Sequence, residues 1–78
     1  MIGRVETIEP ARRLLVVADT QKGERRRMEV NAETEVVGCR AVAGLSALRP
    51  GGLVRVKYLD RVGAEPEAQS ILVLEPAR

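Results

Sequence analysis

Apolar and polar residues alternate with a period of two along most of this chain, in short runs separated by glycine, proline and small polar residues. The clearest run is Leu53-Val-Arg-Val-Lys-Tyr58, where Val54, Val56 and Tyr58 fall on one face and Arg55 and Lys57 on the other. Such alternation predicts a strand over Leu53–Leu59 with one face inside and one in water. Similar runs predict strands over Gly3–Ile8, Leu14–Asp19, Arg25–Val30 and Ala68–Leu74. In the first of these, Val5 and Ile8 point inward three residues apart, a spacing that requires a bulge. Glu9-Pro10-Ala11-Arg12 reads as a turn with its φ pre-set by proline. Thr20-Gln21-Lys22-Gly23 reads as a hairpin closed by a glycine free to take positive φ. Residues Asn31 to Val42 look irregular, with Thr34 and Val36 extended and Gly38 as a break. A short helix follows over Gly44–Leu48, ended by Pro50-Gly51-Gly52. Asp60 to Pro66 reads as a loop, and Pro76 stops the last strand.

Five strands with one short helix between the third and the fourth predict an all-β chain. The architecture is a five-stranded OB-fold-like Greek-key barrel, a single OB-like domain over residues 1–78. An SH3-like barrel is the competing topology, but it usually carries only a 3₁₀ turn, placed before its last strand. The inward positions read from the chain itself are Val5, Ile8, Met28, Val30, Leu48, Val54, Val56 and Tyr58. Val is the commonest apolar residue, Phe, Trp and His are absent, and Tyr58 is the only aromatic ring. A core of branched aliphatics suits strands, each buried Val or Leu contributing about 1.5–3 kcal/mol. In 78 residues that core is only just sufficient.

Chemistry narrows the function classes more than charge does. With 13 basic and 11 acidic residues the chain carries a formal charge of +2, and the two signs alternate along most of its length, which is no nucleic-acid signature. The densest basic run, Glu24-Arg25-Arg26-Arg27, places Arg25 and Arg27 on one face of the third strand, and a solvated face is the plainer reading of it. Single-strand binding also calls for aromatic platforms, and the one ring here is in phase with the core. No histidine supplies a base poised near neutrality, Glu33 and Glu35 sit in a polar loop, and a lone Cys39 allows neither a disulfide nor a zinc site. Cys39 beside Arg40 has the charge environment of a thiolate, although a small apolar residue packed near the helix accounts for it more simply. These features predict a non-enzyme with no cofactor and no metal. No apolar run is long enough to span a membrane, and the start of the chain enters a strand with no signal-peptide-like stretch. That predicts a cytoplasmic protein as written, periplasmic or exported if a leader was removed.

Gly3-Arg-Val-Glu-Thr-Ile8, Leu15-Val-Val17, Met28-Glu-Val-Asn31, Thr34-Glu-Val-Val-Gly38, Leu48-Arg-Pro-Gly51, Val54-Arg-Val56 and Ala68-Gln-Ser-Ile71 resemble an uncharacterised bacterial family of small OB-like domains of unknown function. Members of that family are mostly exported or membrane-attached, often in tandem copies. The chain departs from the family in carrying Gly51-Gly52 where a Gly-Asp is usual, and it is expected to lack the leader and the second copy. The same skeleton is distantly similar to the periplasmic copper-chaperone OB domains, which bind Cu(I) through a His, two Met and a capping Trp. Here the third strand offers Met28 alone, so the ligand set is missing. Initiation-factor-one domains share only the Pro-Gly bend and the strand after it.

The resemblance implies a register with Leu15, Val17, Ile71 and Val73 inward. Leu14-Leu-Val-Val17 and Ile71-Leu-Val-Leu74 are apolar on both faces, so Leu14, Val16, Leu72 and Leu74 are left outside. In OB topology the third strand lies between these two, so the four residues form apolar ridges flanking Arg25, Arg27 and Glu29. An exposed patch of this kind marks an interface. The expected function is therefore a small binding module for a protein partner or for a second copy of itself. The alternative is single-stranded nucleic acid, held on the same face through Arg25 and Arg27.

Overall fold

A computed structural model of the protein describes residues 1–38, 42–45 and 48–77, with residues 42 and 43 as backbone alone. Among them, seven strands form one sheet: β1 (Ile2–Glu9), β2 (Leu14–Asp19), β3 (Arg25–Glu29), β4 (Glu35–Val37), β5 (Val42–Ala43), β6 (Leu53–Arg61) and β7 (Ala64–Glu75). Five of them close on themselves in the order β1-β2-β3-β7-β6 and back to β1, all antiparallel except the parallel β3–β7 contact. The chain is thus all-β, built on a closed, mixed five-stranded barrel consistent with the OB-like order.

The bulge demanded by Val5 and Ile8 is present: the β1–β2 register slips between Val5 and Thr7. The β2–β3 hairpin turns at Gly23, φ +71°, whose N–H donates to the Asp19 carbonyl at 2.8 Å. Pro50-Gly51-Gly52 stitches β6 to β1. The Gly51 N–H donates to the Val5 carbonyl at 2.7 Å and the Val5 N–H to the Gly52 carbonyl at 2.9 Å. Gly51 does this at φ +95°, a conformation that side chains resist.

Three expectations are corrected. The helix over Gly44–Leu48 is only a 3₁₀ turn, closed by the Leu48 N–H donating to the Leu45 carbonyl at 3.0 Å; Ser46 and Ala47 lie outside the described residues. Five residues between a glycine and a proline stop are too few to nucleate an α-helix. The loop over Asp60 to Pro66 shrinks to Val62-Gly63, because β6 runs on to Arg61 and β7 starts at Ala64. Gly63, φ +73°, permits that tight turn. The irregular stretch after β3 holds a real strand: β4 runs parallel to β7, with Val36 opposite Ile71 and Val37 opposite Leu72. Cys39 and Arg40 lie outside the described residues.

The core comprises Val5, Leu15, Val17, Met28, Val30, Val36, Leu48, Val54, Val56, Ala68, Ile71 and Val73. Ile8 and Tyr58, expected inside, pack against this cluster only in part. Val36 and Ala68 take inward places that the alternation did not assign. Leu48 of the 3₁₀ turn packs where β6 begins, beside Gly52 and Val54, while Met1 pairs with Val56 midway along β6 and Tyr58 lies two residues further on.

Candidate functional site

The structure divides the expected ridge in two. Across β2 and β3, Leu14 faces Glu29, Val16 faces Arg27 and Ala18 faces Arg25, so Leu14 and Val16 do lie beside the arginines. Leu72 and Leu74 do not. β3 meets β7 only at Glu29–Glu67, and Leu72 is five residues further along, roughly 16 Å at the rise of a strand. The second half of β7 is occupied by β4 instead, which a reading with five strands could not foresee.

On the β2–β3 side the charges are consumed locally. Arg25 Nε lies 2.9 Å from Glu6 Oε2, Arg27 Nε lies 3.0 Å from Glu65 Oε1, and Arg61 Nη2 lies 3.1 Å from Glu29 Oε2. Arg61 also donates to the Glu65 carbonyl from Nε and Nη2, at 3.0 and 2.8 Å. Exposed ion pairs of this kind contribute little stability, but each sets a carboxylate against a guanidinium that a polyanion would need. Leu14 and Val16 are half-buried. A small groove of about 210 Å³ beside Leu14 is lined by Arg12, Arg13, Arg27, Glu29 and Glu65, a mixture of both signs.

The other half lies on the outer face of β4, β7 and β6. Leu72 and Leu74 are 40% and 39% exposed. Register places two rows across the sheet: Arg55–Leu72–Val37, and Lys57–Ser70–Glu35. An extra residue in β7, Gln69, makes this possible. Lys57 pairs with Ser70 but Tyr58 with Ala68, so the alternation resets and both Ala68 and Ile71 point inward. Leu72 and Ser70 consequently share the outer face with Arg55 and Lys57. An open groove of about 550 Å³ adjoins this face, with Arg55, Lys57, Ser70 and Leu72 on its outer side and Met1, Val56 and Tyr58 reached from the inner side of β6. Among the described residues Arg55, Lys57 and Glu35 enter no ion pair. Sequence alternation marked Arg55 and Lys57 as outward, but nothing local reveals that Leu72 and Glu35 complete their rows.

Tyr58 stands at the barrel mouth with the Arg26 guanidinium over its ring, 5.5 Å from the centroid. At the hairpin tip, the Asp19 carboxylate accepts the N–H groups of Lys22 at 3.0 Å and Gln21 at 2.8 Å. These bonds, the Lys22 one foremost, hold its pKa below the ordinary 3.8. Glu33 and Glu35 are exposed. No group of three or more His, Cys, Asp or Glu side chains converges among the described residues, and Met28 is fully buried. No helix among them is long and apolar enough to cross a membrane.

No family model, no curated protein and no solved structure matches the chain. The functional reading therefore rests on the geometry of the chain itself.

Proposed function

We propose that this protein is a non-enzymatic binding module that docks a protein surface on the outer face of β4, β7 and β6. One observation carries the reading: Leu72 stands exposed on a sheet face paired on both sides and lines a wide groove, with the unpaired cations Arg55 and Lys57 on one flank and the exposed Leu74 further along β7. Exposed leucines framed by charged groups are the composition of a protein contact, in which apolar area leaves water and the charges set orientation. The β2–β3 face, with half-buried apolar side chains and arginines held by glutamates, offers less to a partner.

Single-stranded nucleic acid is the second reading, favoured by the two free cations lining the groove. Against it stands the chain's only aromatic ring, half-buried with Arg26 over one face, which leaves few stacking platforms. Two measurements separate the readings. Anisotropy of a labelled single-stranded oligonucleotide across a salt series should show no binding at physiological salt; a log-log slope reflecting several phosphate contacts would overturn the protein reading. A photo-reactive side chain at position 70 should give protease-sensitive adducts in the source cells, with none from a control at position 21 on the hairpin tip. Nuclease-sensitive adducts, or equal yields from both positions, would overturn it as well.

A further inference from the structure

We propose that the occupant of this face is a second copy of the chain, docked about a two-fold axis running along β7. The inference rests on the protein-docking reading and names its partner. It comes from the order of charges across the sheet. β6 contributes the cations Arg55 and Lys57, β7 the central Leu72 and Ser70, and β4 Val37 and the acid Glu35. Lys57 and Glu35 share a row but are two strands apart, roughly 10 Å, and they do not pair within one molecule. Face-to-face packing about an axis along β7 lays β6 of one copy over β4 of the other. Lys57 of each copy then faces Glu35 of its mate, twice over, and Leu72 meets Leu72 at the centre. An axis across the strands would instead lay β6 on β6 and bring four like charges together, so electrostatics selects the first arrangement. The contact is self-complementary, as a two-fold interface must be, and it keeps the two sheets nearly aligned, the usual geometry of sheet-on-sheet packing.

Charge reversal tests it with the intact chain. Sedimentation velocity over a concentration series should show the wild type as a dimer. Lys57→Glu alone and Glu35→Lys alone should each weaken dimerisation by about tenfold or more, since each sets like charges opposite one another. An equimolar mixture of the two variants should dimerise again, because every facing pair is then of opposite sign. Lys57→Gln and Glu35→Gln, which remove attraction without adding repulsion, should fall between, and Arg25→Glu should leave the dimer unchanged. Wild-type circular dichroism for each variant, with equal thermal midpoints at a dilution where every form is monomeric, confirms that the fold is intact. A wild type that stays monomeric at millimolar concentration overturns the proposal, as does a mixture that fails to recover, or single variants that dimerise like the wild type. Protease-sensitive adducts from position 70 on an unrelated protein, with a monomeric wild type, would sink self-association and leave the docking reading standing. Nuclease-sensitive adducts would sink both.

Discussion

The guanidinium of Arg26 lies over the ring of Tyr58, its Cζ 5.5 Å from the centroid. Arg26 comes from the same face of β3 as the buried Met28, and Tyr58 from the same face of β6 as Val54 and Val56, so the pair continues the core into the mouth of the barrel. A cation over a half-buried ring is worth about 0.5–1 kcal/mol. Arg26→Ala and Tyr58→Leu, combined in a double-mutant cycle by urea unfolding, should return a coupling of that order. A coupling indistinguishable from zero would mean that the stacking contributes nothing. Tyr58 is the only fluorophore in the chain, so its emission should also change in Arg26→Ala.

Tyr58 also shows what periodicity conveys and where it stops. Alternation placed it correctly on the inner face, but not at the mouth, because depth depends on how far each neighbouring strand extends. The Val5–Ile8 spacing announced its bulge, since two apolar residues three apart on one strand turn toward the same side only across such an extra residue, although Ile8 ends partly buried. The bulge at Gln69 left no such mark. Ala68 is small and Ser70 polar, so the register change that buries Ala68 and exposes Leu72 is settled by pairing with β6. β4 was illegible for a related reason. Glu35-Val-Val37 is too short to show a period, and its place depends on a parallel pairing with residues far along the chain. The candidate site inherited that gap: Leu72 and Leu74 were visible as surplus apolar residues, but their neighbours were not.

Packing of β1 on β2 sets a strict limit at Gly3. A Cβ there would meet the Ala18 carbonyl oxygen and Val17 Cγ1, one fixed by the β1–β2 ladder and the other by the core. Gly3→Ala should therefore lower stability by about 1–3 kcal/mol through overpacking. Val56→Ala should cost a similar amount, about 1–3 kcal/mol, by leaving a cavity, whereas the outward Arg55→Ala should change little. Equal midpoints for Val56→Ala and Arg55→Ala in denaturant would refute the inward register of β6.

Acid should loosen the β2–β3 hairpin before the barrel. The Asp19 carboxylate is stabilised by the N–H groups of Lys22 and Gln21, so its pKa is lower folded than unfolded. Its contribution is complete above the unfolded value and is lost as pH falls through the folded one. Carboxyl carbon shifts should show Asp19 titrating below 3.8, with faster amide exchange at Gln21 and Lys22 as it protonates. Asp19→Ala should abolish that pH dependence at both amides. Titration at or above the ordinary value would contradict the bonds described.

Soft metals should find no tight site. Met28 is fully buried in the core, the chain has no His, and a lone Cys39 cannot assemble a converging ligand set. Titration with Cu(I) against a competing chelator should show no stoichiometric complex tighter than about micromolar. A tight one-to-one complex would reinstate the comparison with copper-binding domains of similar skeleton.

The two separated apolar patches make opposite predictions for paired serine substitutions. Leu14 sits in a groove where Arg27 and Glu29 are already matched with Glu65 and Arg61, and it is half-buried. Leu72 is more exposed and stands between Arg55 and Val37 on the face proposed for docking. Leu72→Ser removes apolar area from the centre of the contact, where truncations cost most, and should shift the sedimentation equilibrium toward monomer. Leu14→Ser should leave association as it was and change only the unfolding midpoint, by a small amount. The reverse result, with association lost in Leu14→Ser and kept in Leu72→Ser, would move the interface to β2 and β3. Arg25 and Arg27 would then become its polar rim, and the row formed by Lys57, Ser70 and Glu35 would have no part in it.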